Sequence, residues 1–284
     1  MRILISADME GTCGVSSWVH VQAPEVTTSG QPASSIEYER FRKQMTAEVN
    51  AAIEGALAGG ATSVLVNDSH DFQRNIVIED LHRDAQYISG ADKPFGMMQG
   101  IEENIDAVFY TGYHAKAGTV GGPLAHTWNG WVQDVRINGE STGEFGINAA
   151  IAGAFGVPVT MVAGDDQAVA QTKTFLGSDI ASAVVKWGIS SSSARHLHPE
   201  VALERIRAAA QEAVSKSAPR PFVLEKGTTI EIDANHQARI DQAMLIPGTS
   251  RAGNRTVAFT VNDGKELNNL FRLVTKVGGL TLNH

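Results

Sequence analysis

The feature that most constrains this chain is a strand that ends in two carboxylates. Ile3, Leu4 and Ile5 form an apolar run with a β-branched majority, which predicts a buried strand. The run stops at Ser6-Ala7, presents Asp8 and Glu10, and breaks at Gly11. Residues i and i+2 of an extended segment point to the same side, so the two carboxylates share a face. Like charges held this close repel unless a cation lies between them, and carboxylate oxygens suit divalent metals.

Further strands follow the same plan. Ser34 and Glu37 read as a capping box, and Tyr38, Phe41, Met45, Val49, Ile53 and Leu57 recur at helical spacing up to Gly59-Gly60. Val64–Val66 predicts a strand ending in Asn67-Asp68-Ser69-His70, and Ala107–Tyr110 another ending in Thr111-Gly112-Tyr113-His114. The Gly118–Gly122 segment lacks the Gly-Lys-Ser/Thr ending of a phosphate loop and leads to His126. Gly139–Gly143 turns into a helix over Glu144–Phe155. Val157–Val162, ending at Gly164-Asp165-Asp166, and Ala181–Val185 add two strands. This order predicts an α/β fold with a mostly parallel central sheet flanked by helices, its site at the strands' C-terminal ends.

The pattern changes near residue 190. A serine run, a helix from Pro199 to about Ser217, strands at Thr228–Ile232 and Thr256–Val261 and a last helix capped by Asp263 predict a smaller α+β part. The expected division is a catalytic metal-binding domain over 1–190 and a supporting or oligomer-forming domain over 191–284. The 12–33 stretch, with Pro24, Gly30 and Pro32, reads as a long loop leaving the site.

Composition narrows the function. The 284 residues are 43% hydrophobic, enough for a large core, and the net charge of −8 disfavours nucleic acid and anionic membranes as partners. No apolar run is long enough to span a bilayer and no secretory signal precedes the first strand, so a cytoplasmic location is expected. Cys13 stands alone, which excludes an intrachain disulfide; its nucleophile reading lacks a recognisable base context.

Asp8, Glu10, His70, His114 and Glu144, with His126 beside them, all fall at strand or loop ends. Two histidines and three carboxylates suit zinc and suffice for two ions if one carboxylate bridges. His20, His82, His196, His198, His236 and His284 lack that setting and read as surface or structural. The Trp128/Trp131 pair reads as core or pocket wall.

The strings Asp8-Met9-Glu10-Gly11, Val66-Asn67-Asp68-Ser69-His70, Gly112-Tyr113-His114-Ala115, Gly143-Glu144 with Asn148-Ala149, and Met161-Val162-Ala163-Gly164-Asp165-Asp166 resemble the zinc-dependent D-aminopeptidases, peptidase family M55 (DppA-like). The resemblance runs in order across residues 1–190, and the stretch between Gly11 and Glu37 is longer than the family pattern. It implies two zinc ions per chain. Asp8 would bridge them, Glu10 and His70 completing one set and His114 and Glu144 the other, with His126 catalytic outside the metal shell. It also implies a homo-oligomer, a decamer of stacked pentameric rings, acting on short peptides or amino-acid amides. Asp165 and Asp166 are candidates for binding the substrate's ammonium, or equally caps of the next helix. The rival readings are another metal-dependent amidase or phosphoesterase, and a non-catalytic metal-binding assembly protein. The phosphoesterase lacks an Arg/Lys clamp near the ligands.

Overall fold

The computed structural model describes residues 1–24 and 34–280. Residues 25–33 of the long loop, Gly30 and Pro32 among them, and the terminal His284 lie outside the described residues.

β1 (Arg2–Ala7) lies inside a seven-stranded sheet, paired in parallel with β2 (Ser63–Asp68) on one side and β4 (Ala107–Tyr113) on the other. β3 (Ala85–Ile88) extends the sheet beyond β2. β7 (Val159–Asp165) and β8 (Ala181–Ser190) extend it beyond β4, all in parallel. Only the edge strand β9 (Ser193–His196) is antiparallel, giving the order β3-β2-β1-β4-β7-β8-β9. The expected mostly parallel α/β sheet is the observed one. The serine run serves as the turn from β8 into β9 and so stays within this sheet.

Side chains of β1 alternate between two cores. Ile3 and Ile5 face a layer that includes α1 (Ser35–Ala58) and α4 (Pro199–Ser215), while Leu4 faces the opposite layer with α2 (Glu144–Gly153). All three are fully buried, each contributing roughly 1.5–3 kcal/mol of transfer free energy. Ser34 caps α1 by accepting the Glu37 N–H at 3.3 Å.

A second, antiparallel sheet has the order β11-β12-β10-β5-β6. Its strands are β5 (Val132–Ile137), β6 (Glu140–Thr142), β10 (Thr228–Ala234), β11 (Ser250–Gly253) and β12 (Thr256–Val261). It therefore draws strands from both sides of residue 190, and α4 packs on α1 of the first sheet. The β5–β6 hairpin turns at Asn138-Gly139, both at positive φ (50° and 83°), as a type I′ turn requires. α3 (Asp166–Leu176) follows β7 directly. α5 (Gln237–Ala243) and α6 (Gly264–Gly278) complete the chain, α6 starting at its Asp263 cap.

Candidate metal centre

The C-terminal tips of β1, β2 and β4 meet because backbone joins them. The Asp8 N–H donates to the Thr111 carbonyl at 2.8 Å, the Ser69 N–H to the Ala7 carbonyl at 2.7 Å, and the Gly11 N–H to the Gly112 carbonyl at 2.7 Å. This contact needs glycine on both sides. A Cβ on Gly11 would sit 1.9 Å from the Tyr113 carbonyl oxygen, and one on Gly112, at φ +66°, 2.0 Å from the Asp8 backbone carbonyl oxygen.

Five of the sequence-predicted residues converge there. Asp8 Oδ1 lies 3.4 Å from His70 Nδ1, and Asp8 Oδ2 lies 3.5 Å from His114 Nε2. Glu10 Oε2 is 2.9 Å from His70 Nδ1, and Glu144 Oε2 is 3.6 Å from His114 Nε2. Ligand atoms of Asp8, Glu10 and His70 lie within 4.8 Å of one another, as do those of Asp8, His114 and Glu144. Glu10, His114 and His126 form a third such group.

The donor set fits a metal. Glu10 Oε2 is buried and makes no well-directed hydrogen bond despite the nearby imidazole. Each histidine has its far nitrogen tied to a backbone carbonyl. His70 Nε2 is 2.7 Å from the Val21 oxygen, His114 Nδ1 3.0 Å from Ala115 and His126 Nδ1 2.9 Å from Leu124. Such bonds orient the other nitrogen toward an ion. Burial, then the charge of Glu10, pushes the Asp8 carboxyl up to about 8. Burial acts against the charged forms of Glu10 and His114 as well. Even so, His70 holds Glu10 well below its ordinary value, and Glu144 lifts His114 to about 10. Three carboxylates and two imidazoles thus balance charge by sharing protons, a balance that divalent cations would supply instead.

His126 stacks on His114 with ring centroids 4.1 Å apart and planes 7° apart, and Trp18 meets its ring edge-on at 5.2 Å. Its Nε2 lies 3.6 Å from Glu10 and 3.9 Å from Glu144. Glu144 opens α2, and its Oε1 accepts the Trp128 N–H at 2.6 Å. These residues open into a cavity of about 550 Å³ walled by Trp18, Met97 and Trp128, with Asp71 and Gln73 at its polar side. Trp131 sits in the core instead.

Asp165 and Asp166 stand apart from that cavity. Asp165 caps α3, accepting the Ala168 N–H at 2.8 Å with one oxygen and the Ala115 N–H at 3.0 Å with the other. Asp166 accepts the Gly188 N–H at 2.9 Å. Cys13 is buried, its Sγ donating to the Leu197 carbonyl, and burial with the Glu48 charge pushes the thiol up to about 12. A thiol buried away from the cavity does not suit a nucleophile.

Buried groups that escaped the sequence reading include Lys186 and Glu48. Lys186 is 0% exposed, and burial pushes its ammonium down to about 8; Glu48 on α1 is pushed up to about 7 by burial. A lysine inside the apolar strand from Ala181 is the signal that could have found the first.

A parallel α/β sheet whose edge gathers carboxylates and imidazoles around a cavity has the architecture of a metallohydrolase. The family model of the D-aminopeptidases, peptidase family M55, matches residues 1–273, and the chain belongs to that family of peptide-bond hydrolases. A D-aminopeptidase of Bacillus subtilis (strain 168) is 34% identical over 279 residues, covering 98% of this chain and 97% of its own. The solved structure of a Zn-dependent D-aminopeptidase, DppA from Bacillus subtilis, described as a self-compartmentalizing protease, superposes with a TM-score of 0.91. It is 34% identical and covers 99% of each chain.

Proposed function

We propose that this chain is a two-zinc aminopeptidase that removes the N-terminal residue, a D-residue, from short peptides or amino-acid amides. The observation that carries the reading is the Asp8 carboxylate, whose two oxygens face two separate histidine–carboxylate sets. Glu10 and His70 would hold one ion with Asp8, and His114 and Glu144 the other. An ion held by these residues would supply Lewis acidity, which lowers the pKa of a bound water to roughly 7 and polarises a carbonyl.

His126 carries the proton work in this reading. Its Nδ1–H donates to the Leu124 carbonyl, which leaves Nε2 as the acceptor turned toward the centre. Nε2 takes a proton from the attacking water and passes it to the leaving amine as the C–N bond breaks. His114 behind the ring and Trp18 at its edge restrict its rotation. Trp18, Met97 and Trp128 give the departing residue an apolar wall, and no Lys or Arg lines the cavity among the described residues, in keeping with a neutral amide.

The relative's self-compartmentalizing character supports a homo-oligomer here too, with a decamer of stacked pentameric rings as the proposed form. Light scattering reads the mass directly.

The test is zinc per chain together with rates on D- and L-alanine amide, before and after a chelator. Two equivalents and chelator-sensitive hydrolysis favouring the D-amide are expected. A metal-free protein with undiminished turnover overturns the reading.

A further inference from the structure

Lys186 lies on β8, outside the cavity, with no accessible surface. A buried ammonium is costly unless its protons find acceptors. Here the acceptors are three backbone carbonyls of one short segment: Glu10, Thr12 at 3.2 Å and Val15 at 2.8 Å. An ammonium has three N–H donors, so this segment uses all of them. Asp165 and Glu48 are its strongest electrostatic partners, which offsets part of the burial cost.

The segment needs such a partner. Residues 8–13 and Val15 are buried, yet they form a loop beyond the end of β1. Their N–H groups are satisfied one by one: Gly11 by Gly112, Thr12 by Met9, Cys13 by Glu48 Oε1 at 2.8 Å, and Gly14 by His196 Nδ1 at 3.0 Å. Lys186 does the same for the Glu10 and Val15 carbonyls, and shares the Thr12 carbonyl with the Val15 N–H at 3.1 Å. Since one of those carbonyls belongs to Glu10 itself, the lysine fixes the backbone from which that carboxylate projects.

We propose that Lys186 is a positioning residue, an internal cation that holds the Glu10–Val15 loop so that Glu10 meets His70 and Asp8. The proposal rests on the two-zinc reading, because Glu10 acts there as a ligand. It predicts an asymmetric effect. The set containing Glu10 depends on Lys186, whereas Asp8, His114 and Glu144 are held by β1, β4 and α2.

The experiment is competitive chelator titration of zinc on the full chain, wild type against Lys186→Met, with near-UV circular dichroism reporting the fold. One equivalent should bind about ten- to a hundredfold more weakly, with the other unchanged. Two equivalents bound as in wild type, or equal weakening of both in a folded protein, overturns the proposal. Should the variant not fold, amide hydrogen exchange on metal-free wild type decides. Thr12, Cys13, Gly14 and Val15 should stay as protected as in the zinc-loaded protein, and protection that appears only with zinc refutes a lysine-held loop. A wild type that binds no zinc refutes the two-zinc reading and is seen before either arm.

Discussion

His114 and His126 lie face to face, their rings 4.1 Å apart at the centroids and 7° from parallel. The stack places the His126 Nε2 beside the cluster of Asp8, Glu10, His70, His114 and Glu144, within 3.9 Å of Glu10 and Glu144 and without using either Asp8 carboxylate oxygen. His126→Ala should keep its zinc and lose about 10²–10⁴-fold in kcat, the usual worth of a general acid–base group. Metal analysis beside steady-state kinetics checks it. Loss of one zinc equivalent would instead make His126 a ligand, through its group with Glu10 and His114.

Asp8 is the hinge of the metal reading, since each oxygen faces a different histidine. Asp8→Ala should release both equivalents rather than one. Two zinc retained per chain in that variant would exclude a bridging role.

Asp165 is expected to matter for stability. Asp165→Ala removes the α3 cap and the acceptor of the buried Ala115 N–H, a cost of about 2 kcal/mol or more. KM for an amino-acid amide should not move. A raised KM with unchanged denaturant midpoint would return this carboxylate to ammonium recognition.

Glu48 introduces a pH dependence. Burial raises its carboxyl from 4.5 to about 7 in the fold, so between those values the native state binds a proton that the open chain has released. Stability should therefore fall as pH rises across that window and level off above it. Glu48→Gln should flatten this slope, a difference on the order of 3 kcal/mol at 1.36 kcal/mol per unit. Urea unfolding of both proteins between pH 4.5 and 8 measures it, and parallel curves would refute it.

Much of the fold was legible because its signals are local. Ile3–Ile5 and Val64–Val66 read as strands from apolar runs with a β-branched majority, and Ser34 with Glu37 marks the start of α1. The hairpin of β5 and β6 was missed, although Asn138-Gly139 announces such a turn, because the alternating pattern between Val132 and Ile137 is short. The sequence marks α3 only through the two acids that precede it.

What the sequence determined by itself is which residue types stand at the tips of β1, β2 and β4, since a strand and its terminating residues are set by neighbours a few positions away. The tertiary structure alone decided that these tips lie side by side, through the pairing of β1 between β2 and β4. It also decided that β5, from the first half of the chain, joins β10 from the last third. The role of Asp165 as a cap and the burial of Lys186 beneath the Glu10 loop were decided there as well. Those depend on contacts between residues as far apart as 10 and 186, and no local period encodes which distant carbonyl an ammonium will meet.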